Sequence, residues 1–330
     1  MKFLLYLLFL GLINNTFSQT MIQIPLENDL SHPNFLIENL KTKSSNKLSQ
    51  IIQGPISIID GNNNTFFLLD QIAQKVLHYN EDGALLNAII LKKIDSQYTD
   101  FSVLSSNQLI LFDSKNRRFS LVFHSSKKVT EFSPKIPEKI KNSPLLFDTF
   151  SLSPNKKTLM FQNRFNGYIY TTSTKNLFKK ESIQLKKIKN SDQTGLTLLF
   201  QKKLGFISWS ETGLNQNKIQ FSYLNSKRKI KKWFQRDSLE NFAGLTPLFI
   251  NNESFIYSLS EGGESSTILK EIHIIQPFLE NISEKIISIN NNEVPWYTSR
   301  RICSNNKKIY IMSYETKLRS LNIDIISLIK

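Results

Sequence analysis

The stretch from Gly54 to Leu91 constrains the fold more than any other part of the chain. It reads GPISIIDGNNNTFFLLDQIAQKVLHYNEDGALLNAIIL. Residues 56–59 are apolar and β-branched, and the turn-forming run Asp60-Gly61-Asn62-Asn63-Asn64 follows. Residues 65–69 form a second apolar run that ends at Asp70. Residues 75–79 form a third, closed by Asn80-Glu81-Asp82-Gly83, and residues 84–91 a fourth. Short apolar runs between clusters of Gly, Asn and Asp predict a meander of antiparallel strands. A four-stranded sheet of this kind cannot bury both of its faces alone. It needs copies of itself packed on either side, which is how a propeller blade is built.

The pattern recurs. Residues 101–104 match the first run, Ser105-Ser106-Asn107 the turn, and residues 108–112 lead to Asp113. Arg118-Phe119 and Val122-Phe123 stand at the offsets of Lys75-Val76 and Tyr79-Asn80. Asp70 and Asp113 are ~43 residues apart, a usual blade length. Residues 54–131 resemble the NHL-type propeller repeat through Gly54-Pro55, Asp60-Gly61, the run ending at Asp70, Lys75-Val76, Tyr79 and Gly83. A third repeat begins at Phe147. Its Ser153-Pro154-Asn155-Lys156-Lys157 resembles the Ser-Pro-Asp-Gly-Lys turn of TolB-type propellers, with Asn155 and Lys156 where Asp and Gly are usual. The resemblance implies a fold and no particular function.

Later repeats are looser but keep the rhythm. The second runs end at Asp70, Asp113, Gln162, Glu211, Ser260 and Ser313, ~49 residues apart on average. No long segment carries a helical apolar stripe, which disfavours a parallel α/β fold. The expected fold is all-β: a single six-bladed β-propeller of four-stranded antiparallel blades. Residues 47–52 share the apolar spacing of residues 85–90 and are the N-terminal strand expected to close the ring, leaving no open edge. Residues 19–46 read as a partly irregular segment with a candidate strand at 22–26, and residues 47–330 as the propeller domain.

Residues 1–18 read as a signal peptide. Lys2 precedes an apolar run at residues 3–13, and Thr16-Phe17-Ser18 offers small residues before Gln19. The run is shorter than the roughly 20 residues that span a bilayer. The protein is therefore expected to be exported, to the periplasm or beyond the cell. Cys303 is the only cysteine, so no internal disulfide is expected; its apolar strand context reads as a buried, inert thiol.

Chemical motifs are sparse. Asp70 and Asp113 each end a strand before a polar turn, where a carboxylate accepts backbone N–H groups as an Asx turn. His32, His78, His124 and His273 show no metal-ligand spacing, no nucleophile elbow is present, and Gly262-Gly263 lacks the sequel of a phosphate loop. No catalytic residue, metal or cofactor is assigned. Loops leading into the innermost strands carry Tyr98, Asp100, Phe242, Trp296, Tyr297 and Arg300, with Phe147 and Asp148 beside them. Aromatic anchors beside charges suit a binding face, although such aromatics also pack between blades.

Charge is the one unusual bulk property, with 42 Lys+Arg against 27 Asp+Glu and a formal net charge of +15. Its densest run holds Lys227, Arg228, Lys229, Lys231 and Lys232. Lysine pairs elsewhere are dispersed, as they are on solvated edge strands. The reading favoured is a monomeric, non-catalytic propeller that binds a protein or peptide partner in the cell envelope, with nucleic acid disfavoured for an exported chain. Two alternatives stand beside it. One is a metal-dependent, lactonase- or lyase-like propeller enzyme. The other is an anionic polymer bound through the basic run.

Overall fold

The computed structural model describes residues 18–26, 40–41, 50–51, 54–91, 96–105, 107–123, 125–126, 128–132, 134–135, 150–153, 155–162, 169–175, 183–184, 186–188, 199–201, 205–212, 218–224, 230–250, 254–262, 267–276, 283–296, 298–305, 307–315 and 317–328. Among these there is no α-helix. They contain six four-stranded sheets, all antiparallel, and two two-stranded pairings. The first sheet runs Ser57–Asn62, Thr65–Asp70, Lys75–Asn80, Leu85–Ile90. The second runs Tyr98–Ser105, Gln108–Asp113, Arg118–Phe123, Lys128–Phe132. The third is Phe150–Leu152, Thr158–Gln162, Ile169–Ser173, Lys186–Ile188, and the fourth Leu199–Gln201, Gly205–Thr212, Lys218–Leu224, Ile230–Asp237. The fifth is Phe242–Ile250, Phe255–Gly262, Thr267–Gln276, Ser283–Val294. The sixth takes Ile302–Ser304, Lys308–Glu315 and Ser320–Ser327 from the C-terminal end and its outer strand, Gln19–Pro25, from the N-terminal end.

The leading strands of the sheets form the hub. Ser57–Asn62 touches Tyr98–Ser105 on one side and Ile302–Ser304 on the other. Tyr98–Ser105 touches Phe150–Leu152, Leu199–Gln201 touches Phe242–Ile250, and the latter touches Ile302–Ser304. This is a β-propeller, with one sheet per sequence repeat. The second strands of the six sheets contain Asp70, Asp113, Gln162, Glu211, Ser260 and Ser313, the six markers of the repeat.

The second strands of the first, second and sixth sheets are covered on both faces, so they are continuous apolar runs and do not alternate. Phe66, Phe67, Leu68 and Leu69 are all at or below 2% exposed, as are Ile309 through Met312. One core layer lies between the sixth and first sheets and holds Ile58, Phe66, Leu77, Tyr310, Met312 and Ile323. The next, between the first and second, holds Phe67, Val76, Phe101 and Leu111. Equivalent layers join the fourth to the fifth sheet through Trp209, Phe221 and Tyr257, and the fifth to the sixth through Ile256, Ile272 and Ile311. Cys303 is buried in the first of these layers, where burial, the largest cause, holds its thiol well above the usual range.

The closing strand is not the one expected near residues 47–52. Gln19–Pro25 pairs with Ser320–Ser327 over its whole length, from Gln19 opposite Ile326 to Pro25 opposite Ser320. Gln50–Ile51 pairs instead with Leu40–Lys41, and the rest of residues 47–52 lies outside the described residues. The physical reason is alternation. Ile22, Ile24 and Leu26 are buried while Met21, Gln23 and Pro25 are exposed, the pattern an outer strand with one covered face requires. Pro25 is tolerated because an outer strand has one edge with no ladder to feed. Among the described residues the first propeller strand begins at Gln19, and the leader expected before it falls almost wholly outside the described residues.

Turn chemistry follows the expected aspartates. Asp70 Oδ1 accepts the backbone N–H groups of Ile72 and Ala73 at 2.9 Å each. Asp113 Oδ1 accepts Asn116 N at 3.1 Å and Gln97 N at 3.0 Å, while Oδ2 accepts Asn116 Nδ2 at 2.7 Å. At the rim between the fourth and fifth sheets, Arg236 meets Glu284 at 3.2 Å. His273 lies between Glu284 and Glu271, each ring nitrogen 2.7 Å from a carboxylate oxygen, with Tyr257 stacked on it at 4.7 Å.

Ile24 is 2% exposed, so Ile24→Ala is expected to lower unfolding free energy by about 2–5 kcal/mol. Gln23→Ala, on the open face of the same strand, should move it by less than about 0.5 kcal/mol; denaturant unfolding of the two variants measures both. For Asp113, burial raises the carboxyl, but the Asn116 side chain and the Gln97 and Asn116 amides outweigh it and hold it below the ordinary 3.8. Its stabilisation is therefore complete above that value and is lost as pH falls through the lowered folded value. Asp113→Asn should flatten the acid limb of the stability curve and lower its neutral plateau by about 1–3 kcal/mol, read from urea midpoints between about pH 2 and about pH 7.

Candidate functional site at the channel mouth

The segment before Ile302–Ser304 is fixed beside the first sheet by backbone bonds. Ser299 N and Arg300 N donate to Ile56 O at 2.8 and 3.2 Å, and Ile58 N donates to Arg300 O at 2.8 Å. Arg300 thereby pairs with Ser57 in parallel. From that position its guanidinium reaches across the hub. Nη2 donates to Asp100 Oδ2 at 2.8 Å and to the carbonyl of Phe150 at 2.9 Å.

Asp100 is fully buried. Its Oδ1 accepts Phe101 N at 2.9 Å and Ser57 Oγ at 3.2 Å, and its Oδ2 accepts Phe150 N at 3.2 Å besides Arg300. One carboxylate therefore ties the leading strands of the first, second and third sheets to the segment that opens the sixth. Burial pushes the Asp100 carboxyl up, and Arg300, the two amides and Ser57 all act against that. Arg300 has a second character. Its side chain is 21% exposed, and among the described residues its Nε and Nη1 have no hydrogen-bond partner. The bonds of the clasp to Asp100 and Phe150 all run through one amino group of the guanidinium.

The other expected face residues serve the packing. Tyr98 is 1% exposed and belongs to the layer between the first two sheets, its hydroxyl 3.4 Å from Ser120 Oγ. Phe242 is half-buried, with its ring edge-on to Trp209 at 5.6 Å. Trp296 is half-buried; its Nε1 donates to Pro55 O at 2.7 Å and its ring meets Tyr314 edge-on at 5.3 Å. A Cβ at Gly54 would stand 2.5 Å from the Trp296 ring. That close approach is the reason the first repeat leads with glycine. Tyr297, Phe147 and Asp148 lie outside the described residues.

Of the basic run, Lys227, Arg228 and Lys229 also lie outside the described residues. Lys231 and Lys232 sit on Ile230–Asp237, the outer strand of the fourth sheet, opposite Tyr223 and Ser222. Among the described residues no group of three or more His, Cys, Asp and Glu is arranged to hold a metal ion. Sequence reasoning brought Asp100 and Arg300 to the same face, and the structure joins them. It did not single out Ser57 or the Phe150 backbone. The available signal was Ser57 itself, a small polar residue inside an otherwise apolar leading strand.

No protein-family model matches the chain, and no curated protein matches it. Solved structures do. A virginiamycin B lyase from Staphylococcus aureus superposes with a TM-score of 0.52 at 11% identity, covering 94% of this chain and 100% of the other. A chain of the mitotic checkpoint complex gives 0.53 at 9%, covering 96% and 94%. A structural genomics protein of unknown function from Bacteroides thetaiotaomicron gives 0.53 at 10%, covering 94% and 76%. At these identities the likeness is one of fold, and the fold hosts an enzyme and a component of a protein assembly alike.

Removing one member of the clasp should cost far more than removing both. Arg300→Ala leaves a buried carboxylate without its cation and is expected to destabilise by about 3–5 kcal/mol. Arg300→Met combined with Asp100→Leu should recover part of that loss. Denaturant unfolding of the single and double variants tests it, and a double loss equal to the sum of the single losses would mean that the pair is not coupled.

Proposed function

We propose that this chain is an exported, non-catalytic binding platform that engages an acidic segment of a protein or peptide partner in the cell envelope, at the mouth where Arg300 stands. The observation that carries this reading is the division of labour within one side chain. The Asp100 clasp holds the guanidinium rigid, so an incoming carboxylate meets donors that have already lost their rotamer freedom, and pre-organisation of this kind lowers the cost of binding. The net charge of +15 favours encounter with an acidic partner and adds speed more than specificity. A disc of blades brings loops distant in sequence round one mouth, which suits a platform. Export rests on the leader-like residues 1–18.

The test separates the mouth from the basic edge. Arg300→Lys keeps a cation for Asp100 but loses Nε and Nη1. In pull-downs from an envelope extract at low and high salt, this variant should lose the partners that wild type recovers while keeping a near wild-type melting temperature. A chain with Lys227, Arg228, Lys229, Lys231 and Lys232 neutralised should retain them. The reverse outcome, with recovery abolished only by the neutralised edge and steeply dependent on salt, would assign binding to an anionic polymer site there.

A further inference from the structure

The fifth sheet holds a histidine that the mouth at Arg300 does not use. His273 lies on Thr267–Gln276 and its side chain is 7% exposed. Each ring nitrogen is 2.7 Å from a carboxylate oxygen, Nδ1 from Glu284 Oε1 and Nε2 from Glu271 Oε2. An ionised carboxylate only accepts, and a neutral imidazole has one N–H and one bare nitrogen. A neutral ring between two ionised carboxylates would therefore set two acceptors against each other at 2.7 Å. The arrangement is satisfied only when the cluster holds one proton more, on the ring as imidazolium or on a carboxylate.

The two carboxylates are not held alike. Glu284, on Ser283–Val294, also accepts the Tyr257 hydroxyl at 3.3 Å and pairs with Arg236 Nη2 of the fourth sheet at 3.2 Å. Burial and the Glu284 charge push the Tyr257 hydroxyl up, so it stays a donor. Glu271 has no hydrogen-bond partner but the ring among the described residues. It is also the more exposed of the two, at 31% against 17%. It follows a bulge as well. Glu271 and Leu269 stand opposite Leu259 and Ser260, so Lys270 is an extra residue in its strand, and such a bulge re-aims the side chain beside it. Lys270 itself is engaged elsewhere, with Glu261 at 3.4 Å. The strands on either side bring Tyr257, stacked on the ring at 4.7 Å, and Ile286 opposite His273. With the extra proton, the ring and Arg236 balance the two carboxylates; without it, a negative charge is left uncompensated, which is costly where solvent is scarce.

We propose that Glu271, His273 and Glu284 form a proton-operated switch in the fifth sheet: with the extra proton Glu271 is docked on the ring, and loss of that proton as pH rises releases Glu271 to solvent at the bulge. A neutral ring can donate to one carboxylate only. Glu284 keeps that bond because Tyr257 and Arg236 already fix it in place. Nε2 is then bare and faces an acceptor, and the more exposed, less tethered Glu271 is the group that moves. A carboxylate balanced inside the cluster thus becomes a free charge at the rim that Arg236 shares. This switch does not depend on a partner at Arg300.

The experiment uses the full chain with isotope-labelled histidine. Nuclear magnetic resonance of the ring nitrogens, followed from about pH 5 to about pH 9, reports which of them carries a proton, and His273→Gln assigns the signals. Wild-type His273 should lose the proton on Nε2 and keep the one on Nδ1. Glu271→Gln puts an amide in place of the carboxylate, able to donate to a bare nitrogen or accept from a protonated one. It should move the midpoint of that loss down by about 1 pH unit or more. Hydrogen exchange of residues 267–276, corrected for its intrinsic pH dependence, should rise severalfold across the wild-type midpoint and stay flat in Glu271→Gln. A midpoint that Glu271→Gln leaves unmoved, a proton lost from Nδ1 instead, or exchange that behaves alike in both chains overturns the switch.

Discussion

A sheet with apolar residues on both faces is stable only between two neighbours, and much else in this molecule follows from meeting that requirement in a propeller. Middle strands such as Thr65–Asp70 and Lys308–Glu315 are buried on both sides, so neither tolerates a free face. An open ring would leave one sheet face of the first blade and one of the last in water. The layer formed by Ile58, Phe66 and Tyr79 with Tyr310, Met312 and Ile323 closes that gap. Gln19–Pro25 completes it by laying Ile22 and Ile24 over the same layer from the far end of the chain. The closure joins residues more than 290 positions apart, so the loop-closure entropy of the ring is met by one seven-residue strand and one apolar layer.

The hub meets a different problem. Leading strands from neighbouring sheets run side by side without a full ladder, and their polar groups need partners. Asp100 supplies acceptors for two backbone amides, a serine hydroxyl and a guanidinium at once. Burying a carboxylate is expensive, and a hydrophobic substitute for the whole pair could be as stable. What the pair adds is registration, because a charge with four directional partners fixes where the first, second, third and sixth sheets sit relative to one another. Ser57 and Arg300, joined by the parallel bridge, set the height at which this happens.

Much of the blade pattern was legible in the sequence because each strand pair is local. The turn at Asp60–Asn64, the Asx aspartates and the spacing of the second strands are written in short segments whose neighbours in sequence are also neighbours in space. The closing strand was not legible in the same way. Residues 47–52 and residues 19–25 are both apolar enough to pair, and the choice is made by a partner at Ser320–Ser327 that local patterning does not reveal. The alternation of Ile22, Ile24 and Leu26 was the better guide, since an outer strand with one covered face calls for it. The aromatics of the expected face were ambiguous for a related reason. Tyr98 and Trp296 look alike as anchors in sequence, yet the first fills a layer between sheets and the second covers Gly54. Position along the leading strand decides, and only the ring sets that position.

The Arg300 clasp illustrates how a repeat fold acquires a site. Every blade offers a lead into its first strand and a turn after it, and most such places are filled by residues that serve the blade. Arg300 carries more than the blade requires. A clasp for Asp100 needs one amino group, and Arg300 supplies a full guanidinium. Surplus of this kind is a sharper pointer to ligand chemistry than charge density. The lysines scattered over the rim cost the fold little where they are, whereas a carboxylate buried at the hub is costly unless a cation and several donors meet it, which is what Arg300, Ser57 and two backbone amides do.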